Sequence, residues 1–511
     1  MNLFEIIRER ITDPARVFIE SSDGARLTYG DMLERSARIA NILVLRGVEP
    51  GDRVAAHVEK SPENLLLYLA ALRAGAVFLP LNNAYTPAEL EYFIGDSEPK
   101  LIAGDSAKLA SVSKIAKKWG DAAVESLDAH GGGSLSDAAA KAPKDFADVP
   151  REDGDLAAIL YTSGTTGRSK GAMLTHRNLS SNAQTLADYW KFSADDVLLH
   201  ALPLYHTHGL FVACNTLMLV GGAMIFLPKF DAGEVMRLLP KATAMMGVPT
   251  FYTRLLQATG LTRAACGHMR LFISGSAPLL AETHNEFAAR TGHALLERYG
   301  LTETGMNTSN PHDGDRIAGS VGFPLPGVEL RIADPESGKI LPQGEVGGIE
   351  VRGPNVFPGY WRMPEKTKSE FRADGFFITG DIGKIDARGY VHIVGRVKDL
   401  IITGGFNVYP KEIESEIDAL PGVVESAVIG CPHPDFGEGV TAVVVKSPDS
   451  KLSEKSLLAE LEARIAKFKL PKRVLFVEDL PRNAMGKVQK NVLREQNAKL
   501  YSLKAAPAKA E

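Results

Sequence analysis

From the amino terminus to about residue 396, helix-period apolar stretches alternate with short strand-like apolar runs, the pattern of α/β layers. Ser61-Pro62-Glu63 shows the local logic: a hydroxyl able to accept from free backbone N–H groups, then a proline whose φ suits the first turn. The apolar run through Leu72 predicts a helix, Gly75 supplies its stop, and residues 76–79 read as a buried strand. Residues 209–227 carry no charge and approach membrane-span length, but Asn215 and Thr216 lie within them and Gly221-Gly222 break them. They predict a buried helix followed by a buried strand. Residues 128–155, rich in Gly, Ala, Asp and Lys, predict a solvated connection.

After Arg396 the texture changes. Pro410 opens a helix with Ile413, Ile417 and Leu420 on one face, residues 440–445 form a β-branched strand, and Leu457, Leu458, Leu461 and Ile465 mark another helix. The predicted fold class is α/β, with a large N-terminal multi-layer α/β domain over residues 1–397 and a small α+β domain over 398–503. Residues 504–511, rich in Ala and Lys, read as a disordered tail. A chain of 511 residues exceeds what one core supports, which agrees with two domains.

Composition narrows the function classes. A net charge of -4, with no long run of one sign, argues against nucleic acid or an anionic membrane as the partner. Cys214, Cys266 and Cys431 are far apart and lack metal-ligand spacing, so neither a disulfide framework nor a zinc site is indicated. Residues 1–20 interleave acids and bases without the apolar core of a secretion signal. A reducing, cytoplasmic setting is expected.

The sharpest local chemistry follows the apolar strand at residues 156–160, which runs into Tyr161-Thr162-Ser163-Gly164-Thr165-Thr166-Gly167-Arg168-Ser169-Lys170-Gly171. Glycines let successive N–H groups turn inward on an anion, hydroxyls add neutral donors, and Lys170 adds a mobile positive charge. The implied ligand is a polyphosphate. A Walker-type loop needs glycine directly before the lysine, and Ser169 stands there instead.

The segment resembles the signature of the adenylate-forming superfamily, which includes acyl-CoA synthetases, peptide-synthetase adenylation domains and firefly-type luciferases. The resemblance recurs in order at Leu204-Tyr205-His206-Thr207-His208-Gly209, Ser274-Gly275-Ser276-Ala277-Pro278, Arg298-Tyr299-Gly300-Leu301-Thr302-Glu303, Thr379-Gly380-Asp381, Gly395-Arg396-Val397-Lys398-Asp399 and Asn483-Ala484-Met485-Gly486-Lys487. It implies a carboxylate attacking the α-phosphate of ATP, with pyrophosphate leaving, and a thiol then displacing AMP. Thr162, Ser163, Gly164, Thr165, Thr166, Gly167 and Lys170 would hold phosphates. Ser274, Gly275, Ser276, Ala277, Glu297, Arg298, Tyr299 and Gly300 would line the nucleotide. Thr302 would bond the α-phosphate, Glu303 would hold Mg²⁺, and Asp381 and Arg396 would take the ribose. Lys487 would neutralise the reacting oxygens and is also expected as the target of a lysine acetyltransferase. Lys398 would be the hinge of a mobile small domain, and Gly404-Gly405 would approach the pantetheine of CoA.

His206, Thr207, Ser276 and Met306 would shape the acyl pocket. Arg254, expected on the first turns of a helix after Val248-Pro249-Thr250, would be costly to bury against an aliphatic acid but satisfied by a second carboxylate. Together with Gly300-Leu301-Thr302-Glu303-Thr304-Gly305-Met306-Asn307, it resembles the bacterial malonyl-CoA synthetases, which implies malonate and small 2-substituted malonates such as methylmalonate as the acids. Activation of another short acid, loading of a carrier-protein thiol, and a non-catalytic nucleotide sensor on the same fold are the competing readings.

Overall fold

The computed structural model describes residues 1–162, 169–404, 406–483 and 486–501. Contacts divide the chain into two compact units, Met1–Leu330 with Val351–Phe377, and Arg331–Glu350 with Ile378–Glu511. Residues 378–397, which the sequence pattern groups with the large domain, cluster with the second unit. The physical reason is a shared sheet: Phe377–Ile385 and Val391–Arg396 pair antiparallel, with Gly347–Arg352 and Glu329–Ala333 alongside.

Two large sheets carry the first unit. In the seven-stranded sheet, Arg53–His57 lies parallel to both Val77–Pro80 and Leu101–Gly104, and Leu156–Thr162 continues the parallel run beside Val77–Pro80. The expected Ser61 cap is present: its Oγ accepts from the Asn64 amide at 3.2 Å, and the helix Pro62–Arg73 that follows is buried almost throughout. Gly75, at φ +70°, turns the chain into Val77–Pro80.

In the nine-stranded sheet, Leu296–Leu301, Leu271–Ser274, Ala244–Gly247 and Val197–His200 are successive parallel neighbours. Their carboxyl ends therefore open on one edge, where open α/β sheets bind ligands.

Two sequence expectations are refined here. Residues 128–155 contain the helix Ser134–Ala139, with Leu135 and Ala139 buried. The connection is pinned because polar side chains satisfy its backbone: Arg38 donates to Ala140 O and Ala142 O, and Asn41 donates to Pro143 O and Asp145 O. The buried helix expected after residue 209 is a π-helix, His208–Asn215, that passes into the α-helix Thr216–Val220 before the strand Ala223–Phe226. π-Turns of this kind occur often at functional sites.

In the second unit, Gly437–Lys446 pairs antiparallel with Val423–His433 and parallel with Arg473–Val477. Ile413 and Ile417 of Pro410–Asp418, with Leu457 and Leu461 of Glu454–Glu462, cover one face of this sheet. Leu480 and Leu493 cover the other. The helix–strand–helix pattern expected for this region is borne out.

Candidate active site

Three parallel strands of the nine-stranded sheet hand a motif to the loop that follows. After Val197–His200 come His206 and Thr207; after Leu271–Ser274 comes Ser276; Leu296–Leu301 turns directly into Thr302 and Glu303. Thr207 and Thr302 line one small cavity with Asn182, Phe211, Gly305 and Asn355. Ser276 sits at φ +70°, a conformation non-glycine residues rarely adopt, and its Oγ lies 3.2 Å from Nδ1 of His208.

His208 is 1% exposed, and its backbone N–H donates to Nδ1 of His206 at 3.2 Å. Burial first, then the charge of Arg298, hold its imidazole well below the usual histidine pKa, so it is neutral at pH 7. The resemblance gives His206 a role in the acyl pocket and assigns none to His208. The structure brings both into one hydrogen-bonded group with Ser276.

Met306 is held through its backbone: Asn182 accepts from its N–H at 3.0 Å and donates to its carbonyl at 2.9 Å. Gly300 opposes it on the neighbouring strand, where an added Cβ would meet Gly305 O at 2.0 Å. Arg254 lies in the last turn of the eight-residue helix Pro249–Leu256, not its first turns, because the helix is short, and its side chain is exposed. Arg298, by contrast, is 4% exposed.

Glu303 belongs to a network that no local motif announces. Tyr360 Oη lies 2.9 Å from Glu303 Oε1 and 2.7 Å from Glu370 Oε2. Glu370 also pairs with Lys170 at 3.3 Å and Lys366 at 2.5 Å, and Lys170 stands 4.2 Å above the Tyr360 ring. Burial raises the Glu370 pKa, but bonds from Lys366 and Tyr360 and the Lys170 charge outweigh it and hold the carboxyl below its ordinary value. Sequence reasoning missed Tyr360 and Glu370. Thr162 is paired with Lys170 on the neighbouring antiparallel strand, whereas Ser163, Gly164, Thr165, Thr166 and Gly167 lie outside the described residues.

The second unit gathers its own charged set. Asp381 and Arg396 face each other on paired strands, with Arg396 Nε 2.7 Å from Asp381 Oδ1, and Asp381 is 3% exposed. Desolvation, then Arg396, push the Lys398 pKa down to about 8. Asn483 is bonded twice to Lys487: its N–H donates to Lys487 O and its Oδ1 accepts from Lys487 N, each at 3.0 Å. Lys487 is exposed, and desolvation and then the charge of Arg396 draw its pKa below the lysine norm. Gly404, at φ +56°, donates its N–H to Phe436 O at 2.9 Å between the exposed Ile402 and Phe406. Gly405 and residues 504–511 lie outside the described residues. Among the described residues, no helix is long and apolar enough to cross a membrane.

The AMP-binding enzyme family model matches residues 7–361, and the model of the AMP-binding enzyme C-terminal domain matches residues 412–487. MatB from Rhodopseudomonas palustris, solved with ATP bound, is 64% identical, with a TM-score of 0.97 over 98% of this chain and 99% of that one. Feruloyl-CoA synthase of an Amycolatopsis species is 38% identical over 93% of this chain and 94% of its own. The mitochondrial malonate–CoA ligase ACSF3 of Mus musculus is 38% identical over 92% and 86%.

Proposed function

From the premise that this chain belongs to the AMP-binding enzyme family, we infer that it is a malonate:CoA ligase of the AMP-forming acyl-CoA synthetase type. A malonate carboxylate oxygen attacks the α-phosphorus of ATP, the bond to the β-phosphate breaks, and malonyl-adenylate and pyrophosphate result. The CoA thiolate then attacks the acyl carbon, and AMP leaves with the bridging oxygen. The observation that carries the reading is the convergence of His206, Thr207, Ser276 and Thr302 at neighbouring carboxyl ends of one parallel sheet, in a chain alike over most of its length to a malonate–CoA ligase.

The first step brings an anion to a polyanion, so fixed donors and cations lower its barrier. In this proposal, Thr302 donates to the α-phosphate, Lys170 and residues 162–167 attract the β- and γ-phosphates, and Lys487 neutralises the oxygens that approach each other. Asp381 accepts from the ribose hydroxyls while Arg396 fixes its carboxylate, a role their 2.7 Å pairing supports. Tyr299 stacks on the adenine beside Gly275 and Ala277, and Glu297 supports that wall. His206 and Thr207 orient the reacting carboxylate, Met306 limits the substituent on the central carbon to small groups such as methyl, and Arg254 attracts the dianion. Glu303 would hold Mg²⁺, because its hard carboxylate oxygens suit that ion and are oriented by Tyr360 beside cations that would draw phosphate. When bound, Mg²⁺ neutralises phosphate charge. Gly404 gives the CoA arm close approach to backbone, and Lys398 is the hinge. A cytoplasmic location and acetyltransferase modification of the exposed Lys487 belong to the same proposal.

The likeness to feruloyl-CoA synthase favours a second reading, in which the acid is an aromatic monocarboxylate. A panel of malonate, methylmalonate, acetate and ferulate with ATP, Mg²⁺ and CoA, read as AMP release and thioester formation, separates the two. Malonate should give the highest kcat/KM; ferulate in that place would replace the malonate reading.

A further inference from the structure

We propose that Lys60 and His200 are positioning residues for the acid, acting through the carbonyl of Gly209, an inference that rests on the placement of His206 and Thr207 at the acid above. Lys60 lies three residues past the strand Arg53–His57, just before the Ser61 cap, and is 9% exposed. Its Nζ stands 2.7 Å from Nδ1 of His200 and donates to the His200 carbonyl at 2.9 Å. Elsewhere in the first unit, Arg73 pairs with Asp148 and Arg270 with Asp196. Among the described residues, no carboxylate pairs with Lys60, which stands 4.2 Å over the Phe226 ring instead. A buried amine without a counter-ion is a cost to folding that an apolar side chain of the same length would avoid. What the amine does fix is the state of His200.

His200, 1% exposed, ends the strand Val197–His200, and its Nε2 lies 2.9 Å from Gly209 O. A carbonyl can only accept, so Nε2 carries a proton. Burial first, then the charge of Lys60, hold the imidazole well below the usual histidine pKa, so the ring has that one proton and Nδ1 is an acceptor. Lys60 supplies the donor that Nδ1 needs. Burial also draws the Lys60 pKa well below the lysine norm, but a neutral amine still has two N–H groups, one for each acceptor on His200. In either charge state the donors therefore run one way, from Lys60 to His200 to Gly209. Cys214 Sγ gives the same carbonyl a second bond at 3.2 Å.

Gly209 is where a clamp of this kind has most effect. It lies in the first turn of the π-helix His208–Asn215, and an added Cβ would lie 2.0 Å from Pro203 O, so its backbone is pressed against the start of the loop that carries His206 and Thr207. The N–H groups of Gly209 and Leu210 donate to His206 O at 3.1 and 3.0 Å, and His208 lies 3.2 Å from Ser276. A π-turn departs from the α-helical ladder, so helix regularity alone does not set where its carbonyls stand. With Gly209 O released, the turn relaxes, and Thr207 moves with the group of His206, His208 and Ser276. Lys60 and His200 thus govern the acid through that turn, as supports whose own packing holds the residues in front of them.

The test uses the full chain with Lys60→Met, which keeps the stem and removes the donors, His200→Phe, which keeps a ring and removes them, and His200→Gln, whose amide retains a donor for Gly209 O. The kcat and the KM values for malonate and for ATP are measured beside hydrogen exchange over residues 203–215. Lys60→Met and His200→Phe should lower malonate kcat/KM by about 10- to 100-fold, the scale of a small misplacement of groups that hold a reactant. The KM for ATP should hold, and amide exchange in the turn should quicken by about 10-fold, as expected for the loss of one hydrogen bond that pins it. His200→Gln should recover most of the malonate activity, which a role in filling space alone would not predict. Equal losses in the malonate and ATP parameters, or unchanged malonate kinetics in Lys60→Met, overturn the relay while leaving the malonate reading intact. A wild type that prefers ferulate overturns the malonate reading, and the same split between acid and ATP is then read on ferulate.

Discussion

The Tyr360 hydroxyl has one proton and two carboxylate neighbours, Glu303 at 2.9 Å and Glu370 at 2.7 Å, so it can donate to only one at a time. Glu370 has Lys170 and Lys366 as well, which frees the Tyr360 proton to orient Glu303. Tyr360→Phe should therefore raise the Mg²⁺ concentration needed for half-maximal activity by about 10-fold, the usual cost of losing an outer partner of a metal ligand; an unchanged magnesium titration would detach Tyr360 from the metal. Arg254→Ala should lower malonate kcat/KM more than acetate kcat/KM, and equal losses would remove it from the acid's path. Lys398 makes a prediction of opposite flavour. Its folded pKa, about 8, lies below the lysine norm, so the charged form is disfavoured on folding. That penalty is full below pH 8 and fades as pH rises toward the unfolded value, where both states are neutral. Lys398→Met should thus raise Tm at pH 7, with the gain shrinking through pH 8 to 10; a gain that does not vary with pH would refute the desolvated lysine. Arg298 was legible as a motif letter, but that its Nε and Nη2 lack partners was not, because pairing depends on what distant segments put around it.

The hairpin formed by Leu296–Leu301 and Gly305–Ser309 carries Thr302 and Glu303 in its turn, and its close approach is set by glycine. Gly300→Ala would place a Cβ 2.0 Å from Gly305 O and 2.5 Å from Met306 Cε. The strands must separate, and overpacking of this kind costs about 1–3 kcal/mol. Chemical denaturation should show that loss together with impaired adenylate formation; full stability and activity would mean the hairpin tolerates the displacement. Element identities were largely readable from pattern: the Ser61 cap, the Pro62–Arg73 helix and the strand after Gly75 all follow from local preference. The π-helix His208–Asn215 was not. An i→i+5 turn has no signature in apolar periodicity, and here Lys60 anchors His200, whose Nε2 lies 2.9 Å from Gly209 O within that turn.

At the level of the molecule, the proposed chemistry assigns Lys487 to the first half-reaction alone. Lys487→Ala should cut malonyl-adenylate formation by at least about 100-fold, the scale of losing a preorganised charge at a developing anion. Supplied malonyl-adenylate should still react with CoA, since Gly404 and the thiol chemistry do not use that lysine. Loss of both half-reactions would end the assignment of separate residues to separate steps. Chain order alone was enough to establish the reaction class, because Thr302-Glu303, Asp381, Arg396 and Lys487 bring their chemistry in their residue types and their sequence of appearance. Periodicity likewise established the layered α/β unit and the α+β unit after it, since burying an apolar face is a local demand that each segment writes into its own spacing. Partnership was settled only in three dimensions. Which guanidinium is left without an anion, which tyrosine steadies Glu303, and which strand ends open side by side depend on sheet order and register, and these join residues tens to hundreds of positions apart that no local preference relates.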